Sequence, residues 1–320
     1  MRQTIRPLKT VPYAAGQIDI AIPRVGYLSR LWIRFSGTLD NSGTAAGTAG
    51  WRSPWELLQS ARLNVNGNLF PQSADGYGYE LLARAMRPGY VDDSSMGVAV
   101  GDNTVEFTTQ LPLAVTDANL TGVIWTGNSE TTTILETVWR AADDPAFATG
   151  PAAGTLSLTG TIEVWGEIFM FGAGEQKPDL STLHNFTVLS QVLNSTGDQY
   201  INLPTLNQVY LRIFHVIENN GVALGYTQGM LDHIKIESYE DPYTISDGEF
   251  QSMQNYRYLG KLPLSTGARV IDLYWTRTLR DVINSTGLSL LQSIINVPGG
   301  TAIAAPAKIY TYIESMSPLS

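Results

Sequence analysis

One phrase occurs twice in this chain, and it decides what kind of element the chain is built from. Residues Gln17 to Thr38 read QIDIAIPRVGYLSRLWIRFSGT, and Gln199 to Glu218 read QYINLPTLNQVYLRIFHVIE. In the first copy Ile18, Ile20 and Ile22 alternate with Asp19 and Ala21, and Pro23 and Gly26 interrupt the run. Leu31, Ile33 and Phe35 then alternate with Trp32, Arg34 and Ser36. A period of two buries one face of a sheet and wets the other. In the second copy Leu203-Pro204 ends a short strand, and Leu211 and Ile213 alternate inside a longer one. Each copy reads as a short strand, a proline turn and a long strand.

The order of elements is also repeated. After the first copy, Ser53-Pro54 starts a helical turn at 54–59, by an N-cap followed by proline at the first helical position. A strand at Ala61–Val65 stops at Asn66-Gly67, a type I′ hairpin signal. Asp75–Met86 has helical spacing and Pro88-Gly89 ends it. Val105–Leu113 is a strand in which Pro112 implies an edge or a bend. From Ala114 to Gly154 the regular pattern fades, in a segment that holds Trp125 and Trp139. So long a stretch is usually functional or interfacial. Leu156–Phe171 alternates over the greatest length in the chain.

Gly172–Asp179 (GAGEQKPD) replaces apolar pattern with Gly, Pro and charge, and reads as a linker. The second half then replays the first. Strands are expected at Tyr200–Leu203, Tyr210–Ile217, Leu231–Ile236 and Val270–Trp275. A helix-like run follows Ser246-Asp247-Gly248 through Leu259. An irregular excursion spans Thr276–Pro306, and Lys308–Glu314 is the closing strand. A repeat of order across 320 residues is the mark of a tandem architecture. The fold class expected is all-β, two tandem eight-stranded jelly rolls with short helices in loops. The divisions are an N-terminal arm at 1–16, jelly roll 1 at 17–171, a linker at 172–180 and jelly roll 2 at 181–320.

Composition bounds the function. Apolar residues make up 43% and charged residues 15%, which excludes disorder. The low charge fraction fits a surface that is covered by other chains. The net charge of −9 argues against nucleic-acid binding, which needs clustered Lys and Arg. There is no cysteine, hence no disulfide framework, no thiolate nucleophile and no Cys-ligated metal. No apolar run reaches the roughly 20 residues of a membrane span, and the N-terminus lacks the apolar core of a signal peptide, so synthesis and use without secretion are expected. Arg2, Arg6 and Lys9 precede the first acid, Asp19. This basic stretch is either a frayed terminus or an arm that lies on a neighbouring subunit or an anionic surface.

No catalytic pattern stands out among the residues that could carry one. The histidines, His184, His215 and His233, have no zinc-motif spacing and read as structural. No GxSxG turn is present. The acid pairs Asp92-Asp93, Asp143-Asp144 and Glu240-Asp241 fall in loop-like sequence and read as solvated acids rather than a glycosidase pair. No calcium loop or phosphate cradle occurs. Seven Trp and 15 Tyr could build sugar-stacking platforms, but aromatics also favour strands and interfaces. No catalytic residue, cofactor or metal is expected.

The chain resembles the double jelly-roll major capsid proteins of icosahedral viruses, the group of tectivirus-like bacteriophages that often contain an internal membrane. The residues that carry the likeness are IAIPRVGYLSRLWIRFSGT with INLPTLNQVYLRI, RLNVNG with SADGYGYELL, and HIKIES with SDGEFQSM. The resemblance implies two jelly rolls side by side and a pseudo-hexagonal homotrimeric capsomer. The implied partners are neighbouring capsomers, penton or minor capsid proteins and, where one is present, an internal lipid membrane. It implies no sequence-specific nucleic-acid contact. It also implies a location in the virion shell after assembly in the host cytoplasm. The excursions at 114–154 and 276–306 would be outer or trimer-locking loops, and Arg2, Arg6 and Lys9 would face a membrane or a neighbouring subunit. The alternative reading is a carbohydrate-binding or receptor-binding double β-sandwich, such as a spike or adhesin.

Overall fold

The structure, a computed structural model, describes residues 1–24, 26–86, 92–115, 120–127, 132–220, 222–223, 233–238, 243–246, 268–274, 279 and 282–319. The chain forms two compact units. One comprises residues 1–83, 91–187 and 319–320, and the other residues 84–90 and 188–318.

The first unit contains β1 (Arg2–Pro12), β2 (Gly16–Ala21), β3 (Tyr27–Asn41), β4 (Leu58–Val65), β5 (Leu69–Ala74), α1 (Gly76–Met86), β6 (Gly101–Pro112), β7 (Ile124–Trp125), β8 (Thr133–Trp139) and β9 (Leu156–Met170). One antiparallel sheet has the order β1-β9-β3-β6, with β7 on the start of β3. The second has the order β2-β8-β4-β5. Phe186 and Thr187, in β10 (Thr182–Val192), extend it in parallel beside Gln72 and Ser73.

The alternation read in β3 is the alternation seen. Leu31, Ile33 and Phe35 are fully buried, Trp32 and Ser36 are half-buried and Arg34 is exposed. The two sheets meet through aromatic rings. Phe35 of β3 lies 5.9 Å from Phe107 of β6 and 5.9 Å from Trp139 of β8, and Tyr13 meets Phe35 edge-on at 5.6 Å. Each such side chain taken wholly out of water contributes roughly 1.5–3 kcal/mol. Asn66 and Gly67 both have positive φ (56° and 79°), which makes the expected tight turn between β4 and β5. The Asp75 carboxylate caps α1 by accepting the Gly78 N–H at 2.7 Å.

The second unit contains β11 (Gly197–Asn202), β12 (Val209–Asn219), β13 (His233–Ser238), β14 (Tyr243–Ser246), β15 (Ala268–Asp272), β16 (Leu291–Val297) and β17 (Lys308–Pro318). In one sheet β12 lies between β15 and β17. The other runs β11-β16-β13-β14. Ile213, Ile217 and Ile313 from the first sheet pack with Ile201, Ile236 and Ile295 from the second. The helix expected after Gly248 and the end of the strand expected at Val270–Trp275 lie outside the described residues.

Three expectations are corrected. Residues 2–12 are not a loose arm: β1 pairs with β9 from Arg2 opposite Met170 to Pro12 opposite Thr161. Residues 172–187 belong to the first unit, not to a linker and second unit starting at 181. Residues 172–179 are irregular and mostly exposed, and Leu180 rests on a small cluster of Tyr27, Ala114, Leu120, Val123 and Phe169. The supposedly irregular excursions each hold a strand that pairs on both sides, β8 and β16. Both were hidden by polar residues on the inward face. In β8, Thr133 and Thr137 are buried beside Leu135 and Trp139. Thr137 donates its hydroxyl to the Ile18 carbonyl at 2.8 Å and accepts the Trp139 indole N–H at 2.9 Å. In β16 the buried Ser293 bonds His215 at 2.7 Å.

Candidate assembly site

Arg2, Arg6 and Lys9 stand on β1, at the edge of the first sheet, and all three are exposed. Arg2 lies opposite Met170, Arg6 opposite Gly166 and Lys9 opposite Val164. Residues opposite one another in an antiparallel pair share a face, and these β9 positions are all of one parity. Plain alternation would put Lys9 on the other face from Arg2 and Arg6. The register shift between Pro7 and Lys9 restores it: Leu8 is the extra residue of a bulge, a device common at sheet edges. Met170 to Val164 is six steps on β9, so at about 3.3 Å per residue the three cations form a row roughly 20 Å long rather than a cluster. Pro7, Pro12 and the bulge also blunt an edge that would otherwise template strand pairing.

Beneath this edge lie charges that the pattern reading passed over. Arg30 of β3 is paired with Glu167 of β9 at 3.3 Å, and both are buried. Ser29 donates its hydroxyl to the same carboxylate at 3.0 Å, and the Gln3 side-chain amide of β1 donates to its other oxygen. In the second unit Arg212 of β12 is paired with Glu314 of β17 at 2.5 Å and with Asp272 of β15 at 3.2 Å, all three buried. The signal available in sequence was an Arg on the strand after each proline turn and a Glu on each closing strand.

A third charged group ties loops together in the first unit. Glu56, in a short 3₁₀ turn at Trp55–Leu57, contacts Arg52 at 3.0 Å and Arg140 at 2.6 Å. Arg52 also reaches Asp75, and Arg140 reaches Asp144. Burial, set against the two guanidinium groups, pushes the Glu56 carboxyl up to about 7.

His184, His215, Asp144 and Asp92 are engaged in structural contacts, while Asp93 and Asp143 are exposed. His184 Nδ1 lies 2.9 Å from the Pro112 carbonyl, and His215 sits between the hydroxyls of Thr311 and Ser293 at 3.0 and 2.7 Å. Asp144 pairs with Arg140 and accepts the Ala146 N–H, while Asp92 accepts the Ser94 N–H. Glu240-Asp241 and the His233 side chain lie outside what is described. Among the described residues no group of three or more His, Asp or Glu could hold a metal ion. On the outer face of the first sheet Trp32 lies opposite Trp165, and Arg34 is 3.8 Å from Glu163.

Two tandem units, each of two mainly antiparallel sheets, define the class: a double jelly roll, the fold of viral major capsid proteins. The major capsid protein of STIV, Sulfolobus Turreted Icosahedral Virus, matches with a TM-score of 0.76 at 17% identity, over 99% of this chain and 97% of that one. VP54 of PBCV-1 matches with a TM-score of 0.68 at 12% identity, over 98% of this chain and 94% of that one. The major capsid protein of bacteriophage PM2 matches with a TM-score of 0.62 at 12% identity, over 100% of this chain and 98% of that one. No protein-family model and no curated protein matches the sequence.

Proposed function

We propose that the chain is the structural, non-catalytic subunit of an icosahedral viral shell and assembles as a homotrimeric capsomer of pseudo-hexagonal outline. The observation that carries this reading is the match of both units, over nearly the whole length of this chain and of the STIV capsid protein, rather than of one sandwich alone. The low charge fraction supports it, because obligate interfaces are large and depleted of charge. On this reading the protein works in the virion shell after assembly in the host cytoplasm. Its partners are further copies, neighbouring capsomers and penton or minor capsid proteins. The row Arg2, Arg6 and Lys9 meets a neighbouring subunit or an anionic lipid surface, where each cation is worth about 1 kcal/mol.

The test is the mass of the expressed chain by size-exclusion chromatography with light scattering. A trimer has about 105 kDa, three times the 34.9 kDa of one chain. A stable monomer that binds glycans would overturn the reading in favour of a receptor-binding sandwich.

A further inference from the structure

We propose that the first unit carries a binding pocket for a small, flat organic anion, a ring bearing one carboxylate or a similar acidic group. The proposal rests on the geometry of this unit and does not depend on the shell reading.

The pocket has a volume of about 350 Å³, at the small end of ligand sites, which run from about 300 to 1,000 Å³. Its walls are aromatic: Tyr27 at the start of β3, Trp125 on β7, Phe169 at the end of β9, and Phe171. Tyr27 and Trp125 are opposite each other in the sheet, with ring centroids 4.3 Å apart and planes tilted by 42°. Phe171 meets Tyr27 edge-on at 5.1 Å. Tyr27 and Phe169 are buried, yet Trp125 is 37% exposed. A large indole is thus held open above a packed floor.

The backbone is shaped for that indole. A Cβ on Gly127 would lie 2.5 Å from the Trp125 ring, so any side chain there would push the indole out of its seat. Met170 and Gly26 add to the wall, Arg24 and Lys177 complete the lining, both exposed, and no acid lines the pocket. Glu175, two residues from Lys177, is engaged by the N-terminal ammonium and the Gly172 N–H. A positive mouth on a chain of net charge −9 is a local inversion of the protein's own field.

These features select a ligand. Aromatic walls favour a flat ring by stacking or edge contact. Two cations favour an acidic group at the mouth and repel a basic one. A sugar is a poor fit, since the lining has no carboxamide or carboxylate side chain to satisfy an array of hydroxyls.

The experiment is isothermal titration of the full chain with three probes: indole-3-acetate, its neutral counterpart indole-3-ethanol, and ring-free hexanoate. Indole-3-acetate is expected to bind with a Kd at least about tenfold below either of the others. In Arg24→Gln/Lys177→Gln, which changes only exposed side chains, indole-3-acetate should weaken about tenfold, to the level of the alcohol. Trp125→Ala should weaken it by a similar factor, with circular dichroism confirming the fold. Equal binding of the alcohol or of hexanoate overturns the proposal. So does the absence of binding by all three at about 10 mM, or unchanged binding by the double glutamine variant.

Discussion

Arg30 and Arg212 occupy the same place in the two units. Each follows the residue at which the long strand after the proline turn slips register against the closing strand, and each stands directly opposite a glutamate there, Glu167 or Glu314. The duplicated order therefore extends to a buried ion pair and to the bulge that presents it. The second partners differ: Ser29 and Gln3 reach Glu167, whereas Asp272 reaches Arg212. An Arg fork suits such a position, because it satisfies two carboxylates at once.

Removing one member of a buried pair strands the other charge, at a cost of about 3–5 kcal/mol. Arg212→Met is expected to destabilise the second unit by this amount in urea denaturation. Arg212→Met/Glu314→Met should recover much of the loss, because a well-packed apolar pair is often neutral. A double variant as unstable as the single one would mean that the loss of the guanidinium from Asp272 dominates the cost.

Glu56 makes stability depend on pH. Its carboxyl is pushed from 4.5 up to about 7, first by burial and then by Asp75, against Arg52 and Arg140. The folded state then binds more protons than the unfolded one between these values. The contribution is present in full below pH 4.5 and is lost as pH rises through 7. At about 1.4 kcal/mol per unit the total is about 3 kcal/mol. The difference in urea midpoint between native protein and Glu56→Gln, followed from pH 4 to 8, should shift in favour of the variant across that window. A constant difference would refute the assignment.

His215 acts in the opposite direction. Burial holds its imidazole down at about 3, against 6.5 when free. Its contribution is present above pH 6.5 and is lost as pH falls through 3, by on the order of 5 kcal/mol. His215→Gln should flatten acid unfolding between these limits while retaining contacts to Thr311 and Ser293. NMR titration of the imidazole should show no protonation at pH 5.

The pairing of β1 decides how the basic row must be tested. Deleting residues 1–12 would strip ten registered pairs from β9 and expose its edge, confounding folding with assembly. Arg2→Ser/Arg6→Ser/Lys9→Ser keeps the strand. Its thermal unfolding should match the native protein within about 0.5 kcal/mol, as for exposed sites generally. Closed particles counted by electron microscopy should fall severalfold. Normal particle yield would remove the row from assembly.

The strands of β2, β3, β9, β12 and β17 and the helix α1 were legible because their inward positions carry apolar residues at the proper period. The turn at Asn66-Gly67 was legible because its chemistry permits little else. β8 and β16 were not, because Thr133, Thr137 and Ser293 face inward and find partners that lie far away in sequence. The three N-terminal cations were visible as letters. Their common face was not, since it depends on a bulge that exists only against β9.

The sequence by itself thus determined the all-β class, the repeat and most strand positions, through local periodicity and turn chemistry. Only the tertiary structure decided where the N-terminal residues pair, which charges are buried together, and that Tyr27, Trp125, Phe169 and Phe171 enclose one pocket. These depend on contacts between segments far apart in the chain, such as Arg2 with Met170. A period of two says which face a residue takes within its strand and nothing of which strand lies beside it.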